Sequence, residues 1–137
     1  MSVRIDSVYR GDLRVSATHV PSRVTLVTDA PVDNHGKGES FSPTDLVATA
    51  LINCMATIMG IKSKSLGIPL EGMTLSVEKI MTTEAPRRIA SLPVTITLPV
   101  TVSDEQFRSL VAAAEACPVA KSLHPDIQKT ITWNRAS

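Results

Sequence analysis

The feature that most constrains the fold is a long stretch of chain bounded by clear helix signals. Ser42 and Pro43 open it, Asp45 follows three residues after the serine, and Gly67 closes it. A serine cap, a proline at the first helical position and an acidic side chain two residues later form a capping box, and glycine commonly ends helices. The pattern predicts one helix over residues 43–66.

No charged residue occurs between Leu46 and Ile61 of this helix. That uncharged run is shorter than the ~20 residues a bilayer requires, and it contains the polar side chains of Thr49, Asn53 and Thr57. A helix without a strongly polar face must be covered on all sides, which one small sheet cannot do. We therefore predict that a second subunit, and not a membrane, covers it.

The segments on either side predict strands and shorter helices, and hence an α+β protein. Alternating apolar residues and turn signals mark the strands, and capping residues mark the helices. Pro93 and Pro99 favour an edge or bulged strand in the segment that contains them. The predicted strands are 3–9 and 13–19 with a turn at Gly11-Asp12, then 24–28, 72–82, 89–102 and 127–133; the shorter helices begin at the Ser103 capping box and at Cys117-Pro118.

Length and charge limit the classes of partner. The chain has 137 residues, a net charge of +1 and 3% aromatic residues, without a basic block. One domain over residues 1–137 is expected, and nucleic acid is not, because phosphate binding requires clustered Lys and Arg. The charged N-terminus lacks the apolar run of a signal peptide, so we expect a cytoplasmic protein.

The two cysteines are candidates either for buried core residues or for a redox couple. Cys54 lies within the apolar helix, where a thiolate is disfavoured unless a cation such as an arginine reaches it. The sequence offers four candidates, which are Arg10, Arg14, Arg87 and Arg88. Cys117 precedes Pro118 at a predicted helix N-cap, where free N–H groups favour a thiolate, so this feature alone would make it the more acidic thiol.

Other candidate sites are weaker. Asp45 is interpreted either as a helix cap or as a carboxylate that orients an arginine. His19, His35 and His124 have no spacing that indicates a metal site. Gly36-Lys37-Gly38 is not a phosphate loop, because no strand and helix flank it in the required pattern. No cofactor is expected.

Two motifs together resemble the OsmC/Ohr family, the osmotically inducible protein C and organic hydroperoxide resistance proteins. One runs from Ser42-Pro43-Thr44-Asp45-Leu46 through Ala48 and Ala50 to Cys54, and the other from Ala116-Cys117-Pro118 to Leu123. The resemblance implies an OsmC-like fold in which antiparallel sheets wrap a long central helix in an intertwined homodimer. It also implies a peroxidatic Cys54 and a resolving Cys117, which reverses the acidity ranking based on the helix terminus.

The same resemblance implies the substrate and partners. These are an organic hydroperoxide, a dithiol reductant (a small molecule or a lipoyl-type protein) and a second copy of the chain. Arg14 is the expected cation, because it shares the polar face of its strand with Ser16 and Thr18, and Arg10 is next.

One departure from the family pattern motivates a second hypothesis. The position ten residues before Cys54, where the hydroperoxide resistance proteins have glutamate, is Thr44, and Asp45 follows one place later. The alternative is a non-catalytic OsmC-fold dimer that binds a small apolar ligand between subunits.

Overall fold

The computed structural model describes residues 1–136 and divides the chain into two compact units. The first is Met1–Leu46, and the second begins at Val47. One long helix starts in the first unit and continues in the second. The single domain over residues 1–137 stays a prediction.

The first unit contains a three-stranded antiparallel sheet with the strand order β1-β2-β3. Asp12 and Leu13 connect the first two strands in left-handed backbone conformations, with φ of 53° and 63°. The predicted turn at Gly11-Asp12 therefore lies one residue further along. The strands are β1 (Ile5–Gly11), β2 (Arg14–His19) and β3 (Thr25–Thr28), and a short 3-10 helix follows at Val32–Asn34.

The long helix α1 extends over Pro43–Leu66, which confirms its predicted bounds. In one copy of the chain it buries a stripe of residues three or four apart: Ala48, Leu51, Met55, Met59 and Ser63. By length and composition α1 is apolar enough to cross a membrane, although core helices of soluble proteins pass the same test. Within the chain, only 22% of the most apolar 18-residue stretch of α1 is buried.

The second unit contains the remaining strands and helices. Its three-stranded sheet has the order β4-β7-β8, with β4 and β7 antiparallel and β7 and β8 parallel. A separate antiparallel pair joins β5 and β6. The elements are β4 (Thr74–Val77), β5 (Ile80–Met81), β6 (Ile89–Ser91), β7 (Val94–Thr97), α2 (Asp104–Glu115), α3 (Pro118–Ser122) and β8 (Ile131–Asn134).

Three strand predictions need correction in this unit. The strands predicted at 72–82 and 89–102 are each divided in two, and the second breaks around Pro93, which lacks a donor for a ladder. After that break β7 is the central strand of its sheet, so of the two predicted forms, edge or bulged, the edge form is wrong for β7. The closing strand begins at Ile131 and not at residue 127.

The core of the second unit combines the buried stripe of α1 with β7 and α2. Leu92, Val94 and Ile96 are essentially inaccessible to solvent, as are Leu110 and Ala114 of α2. This alternation of strands, helix, strands and helices confirms the predicted α+β class.

Candidate functional site

Cys54 lies on α1 beside the buried stripe and is partly exposed. Leu51 and Ile58, three residues before and four residues after it, share its side of the helix because helical side chains recur at that spacing. Cys54 and Ile58 both pack against the core as partly buried residues. The thiol is therefore in apolar surroundings but is not sealed from solvent.

Cys117 occupies the N-cap of α3 and is completely buried. Its backbone is extended, Pro118 takes the first helical position, and its sulfur accepts a hydrogen bond from the Ala120 N–H at 3.4 Å. Sulfur is a weak acceptor, so cysteine is an unusual capping residue. The predicted N-cap position of Cys117 is confirmed.

Burial raises the pKa of the Cys117 thiol, because a buried thiolate loses its hydration. The Ala120 N–H acts in the opposite direction, but it is the smaller effect. The neighbouring Cys54 side chain raises the pKa further. The expectation that the helix terminus alone would make Cys117 an acidic thiol is therefore wrong.

The two thiols are thus neighbours in the folded chain, although 62 residues lie between them in the sequence. Both are free thiols in this structure. Two thiols in contact, one partly exposed and one buried, can be converted into a disulfide by an oxidant that reaches the exposed sulfur. The chemical capacity of this site is therefore thiol redox chemistry.

Arg14 lies at the start of β2 and is bound by two carboxylates. Its Nη2 is 2.9 Å from Glu39 Oε1 and 3.8 Å from Asp29 Oδ2. Sequence reasoning missed Asp29 and Glu39. The only signal was the position of both in the polar loop segment after β3, where functional side chains are common.

The other candidate arginines have different surroundings. Arg10 is exposed on β1, and Arg87 and Arg88 are exposed between β5 and β6. Arg88 donates a hydrogen bond to the carbonyl of Ile89 at 3.1 Å. Within residues 47–136, no arginine or lysine forms an ion pair or hydrogen bond with Cys54.

Asp45 caps α1 in the predicted manner. The Ser42 N–H donates to Asp45 Oδ2 at 2.9 Å, and the Asp45 N–H donates to Ser42 Oγ at 3.1 Å. Asp45 precedes Cys54 by nine residues, so at 3.6 residues per turn it lies roughly on the opposite side of the helix. Thr44 lies within about 80° of the direction of Cys54, but it carries no charge.

Comparisons with known proteins agree on one family. A family model described as OsmC-like protein matches residues 36–132. A protein of Psychrobacter arcticus 273-4, provisionally named an osmotic stress induced and detoxification response protein, is 44% identical, with 98% of this chain and 97% of that chain covered and a TM-score of 0.92. No curated protein sequence matches the chain.

More distant structures share the fold. The organic hydroperoxide resistance protein OsmC of Legionella pneumophila is 15% identical, with 98% of this chain and 97% of that chain covered and a TM-score of 0.77. An OsmC like protein from Mycoplasma pneumoniae is 12% identical, with 100% of this chain and 99% of that chain covered and a TM-score of 0.82. At such identities the likeness is one of fold alone.

Proposed function

Because this chain belongs to the OsmC-like protein family, we propose that it is a thiol-dependent peroxidase that reduces organic hydroperoxides. The observation that carries the proposal is the contact between a partly exposed Cys54 and a buried Cys117. The name of the Legionella relative, an organic hydroperoxide resistance protein, and that of the Psychrobacter relative, a detoxification response protein, support the same chemistry.

The reaction begins with the Cys54 thiolate. Its sulfur attacks one oxygen of the hydroperoxide, the O–O bond breaks, and the alkoxide leaves and takes a proton to become an alcohol. Cys54 is thereby oxidised to a sulfenic acid. The Cys117 sulfur then attacks the Cys54 sulfur, which forms a disulfide and releases water.

A dithiol reductant completes the cycle. Its thiolate attacks the Cys54–Cys117 disulfide, which releases one cysteine and leaves the other in a mixed disulfide. Its second thiol then displaces that cysteine, so both cysteines are thiols again and the reductant has become a disulfide. The raised pKa of Cys117 suits this order of events, because a thiol that stays protonated leaves the first attack to Cys54.

Arg14 is our proposed cation for the Cys54 thiolate, as the family resemblance implies. A guanidinium is always charged and offers five N–H donors, so it can stabilise a thiolate and also bind carboxylates. For Asp45 we propose the role of the α1 cap, which holds the start of the helix that carries Cys54.

Apolar surroundings suit an alkyl hydroperoxide better than hydrogen peroxide. The partly exposed Ile58 presents hydrocarbon on the side of α1 that carries Cys54, and burial of an alkyl group there is favourable by about 0.8 kcal/mol per CH₂. We further propose that the protein works in the cytoplasm as a homodimer, since the apolar side chain of Ile61 on α1 is 63% exposed within the chain.

The function is tested by hydroperoxide consumption. The purified protein with a dithiol reductant should consume cumene hydroperoxide, and Cys54→Ser should abolish turnover because serine cannot be oxidised to a sulfenic acid. Cys117→Ser is the matched control. It should still reduce one equivalent of hydroperoxide but should not form an intramolecular disulfide. By mass spectrometry it should therefore lack the loss of two hydrogen atoms that the wild type shows.

Two results would contradict the proposal. One is a wild-type protein that consumes no alkyl hydroperoxide. The other is a pair of thiols that stay reduced under excess hydroperoxide, which would instead favour the non-catalytic dimer that binds an apolar ligand.

A further inference from the structure

Asp29 is the most unusual charged residue of the first unit. Its side chain is 2% exposed, and one carboxylate oxygen, Oδ1, has no hydrogen-bond partner among the described residues 1–136. The other oxygen, Oδ2, accepts a hydrogen bond from the Glu39 N–H at 3.0 Å. A buried carboxylate is costly unless a cation and further donors compensate it.

The cation beside Asp29 is Arg14, and the sheet register explains why. Val15 pairs with Thr28 across β2 and β3, so the next positions outward are Arg14 and Asp29. The Arg14 guanidinium lies 3.8 Å from Asp29 Oδ2. Non-local strand pairing thus places the guanidinium beside the buried carboxylate.

The Gly36–Glu39 segment brings a second carboxylate to the same guanidinium. The Gly36 N–H donates to the carbonyl of Pro31 at 3.0 Å, and the Gly38 N–H donates to the carbonyl of Ala30 at 3.2 Å. A Cβ at Gly36 would overlap the backbone of Ala30, so only glycine permits this close approach. Glu39 follows directly, and its Oε1 is 2.9 Å from Arg14 Nη2.

We propose that Asp29 and Glu39 are positioning residues for Arg14, in place of the family carboxylate that Thr44 lacks. This inference rests on the proposed function, in which Arg14 stabilises the Cys54 thiolate. The two carboxylates occupy part of the five-donor fork of the guanidinium and restrict its rotamers. The remaining donors stay available for a sulfur anion. The Gly36–Glu39 segment thereby acquires a role.

The direction in which the Cys54 alkylation rate changes separates positioning of Arg14 from simple electrostatics. Removal of a negative charge should by itself favour the Cys54 thiolate and speed its alkylation at neutral pH. Loss of positioning should slow alkylation, because Arg14 is no longer held in place. In a Cys117→Ser background only Cys54 reacts with iodoacetamide, so the pH profile of alkylation reports this thiol alone.

We expect Asp29→Asn and Glu39→Gln each to slow Cys54 alkylation at pH 7 by about tenfold and to move the pH profile upward, as Arg14→Gln also does. In an Arg14→Gln background the carboxylate variants should have no further effect, because they act through the guanidinium. With Cys117 intact, the same variants should slow hydroperoxide consumption by on the order of 10- to 100-fold.

Asp12→Asn is the matched control. Asp12 is an exposed carboxylate two residues from Arg14, no hydrogen bond or ion pair of its side chain occurs within residues 1–136, and asparagine tolerates its left-handed backbone. Its alkylation profile should not move upward. Should Asp29→Asn fail to fold, the half-exposed Glu39→Gln carries the test alone.

Two outcomes would overturn the inference. One is a Cys54 alkylation rate in the carboxylate variants that equals or exceeds that of the wild type. The other is a slowing of alkylation by these variants that persists fully in the Arg14→Gln background. If the wild type consumes no hydroperoxide, the proposed function fails, whereas the alkylation profile still shows whether the carboxylates act on Cys54 through Arg14. If the wild type is active and the carboxylate variants equal it, only the positioning role fails.

Discussion

At the scale of single residues, the two thiols differ through burial and not through the local sequence around each. The Cys117 sulfur accepts a hydrogen bond at the first turn of α3, yet the pKa of this thiol is raised. Desolvation therefore exceeds the stabilisation that a helix of only five residues provides. In the proposed cycle this difference makes Cys54 the attacking thiol.

The raised pKa of Cys117 predicts a loss of stability in alkaline solution. An unfolded thiol titrates at its ordinary pKa of about 8.5, whereas the folded thiol holds its proton to higher pH. Below about pH 8.5 the two states bind the same number of protons, so the contribution of Cys117 is constant there. Above that pH the unfolded chain loses its proton first, and the free energy of unfolding falls.

Urea unfolding in the presence of a reductant measures this effect. Between about pH 8.5 and 10.5 the wild type should lose more stability than Cys117→Ala, which shares every other titrating group. Parallel pH dependences of the two proteins would contradict the assigned cause.

At the scale of elements, the helices obey local rules more closely than the strands do. The α1 capping box joins Ser42 to Asp45, and the α2 capping box joins Ser103 to Gln106 in the same reciprocal manner. Each box satisfies backbone donors that a helix start leaves free. Strands depend on partner strands that are distant in the sequence, and their observed bounds therefore differ from the predicted ones.

The capping box of α1 yields a prediction that separates the two interpretations of Asp45. Ser42→Ala and, as its matched comparison in α2, Ser103→Ala should each lower the free energy of unfolding by about 0.5–2 kcal/mol. Asp45→Asn keeps an oxygen that can accept a hydrogen bond from the Ser42 N–H. It should therefore lower the free energy of unfolding by less and should retain hydroperoxide turnover. A loss of turnover at unchanged urea stability would instead assign Asp45 to orienting an arginine.

At the scale of the whole molecule, the chain leaves part of its most apolar helix exposed. Ile61 of α1 is 63% exposed, and only 22% of the apolar window of the helix is buried. An exposed large apolar side chain on such a helix provides a contact point for a partner surface. A second copy is the covering partner that we propose.

Ile61→Glu should therefore weaken self-association, because a charge would be buried in the interface. Sedimentation equilibrium should show a dimer for the wild type and a shift toward monomer for the variant. Thr101→Glu adds the same charge at an exposed position outside the helices and should sediment as the wild type does. A wild-type monomer at all concentrations would contradict the dimer.

Much of the site could be predicted because its signals are local. The bounds of α1, the cap formed by Asp45 and the N-cap position of Cys117 depend on residues within one turn of each other. The α+β class also follows from the order of periodic segments. The periodicity of apolar side chains and helix capping both act over a few residues, so they can be recognised in the sequence without knowledge of a partner segment.

Only the tertiary structure decided which residues each side chain contacts and how deeply it is buried. It made β7 a central strand, brought Cys117 into contact with Cys54 and buried it, and placed Arg14 between Asp29 and Glu39. The amino-acid sequence by itself determined which segments form helices and where they begin. Burial and ion pairing arise between residues far apart in the chain, so the acidity of Cys117 and the environment of Arg14 were set by packing.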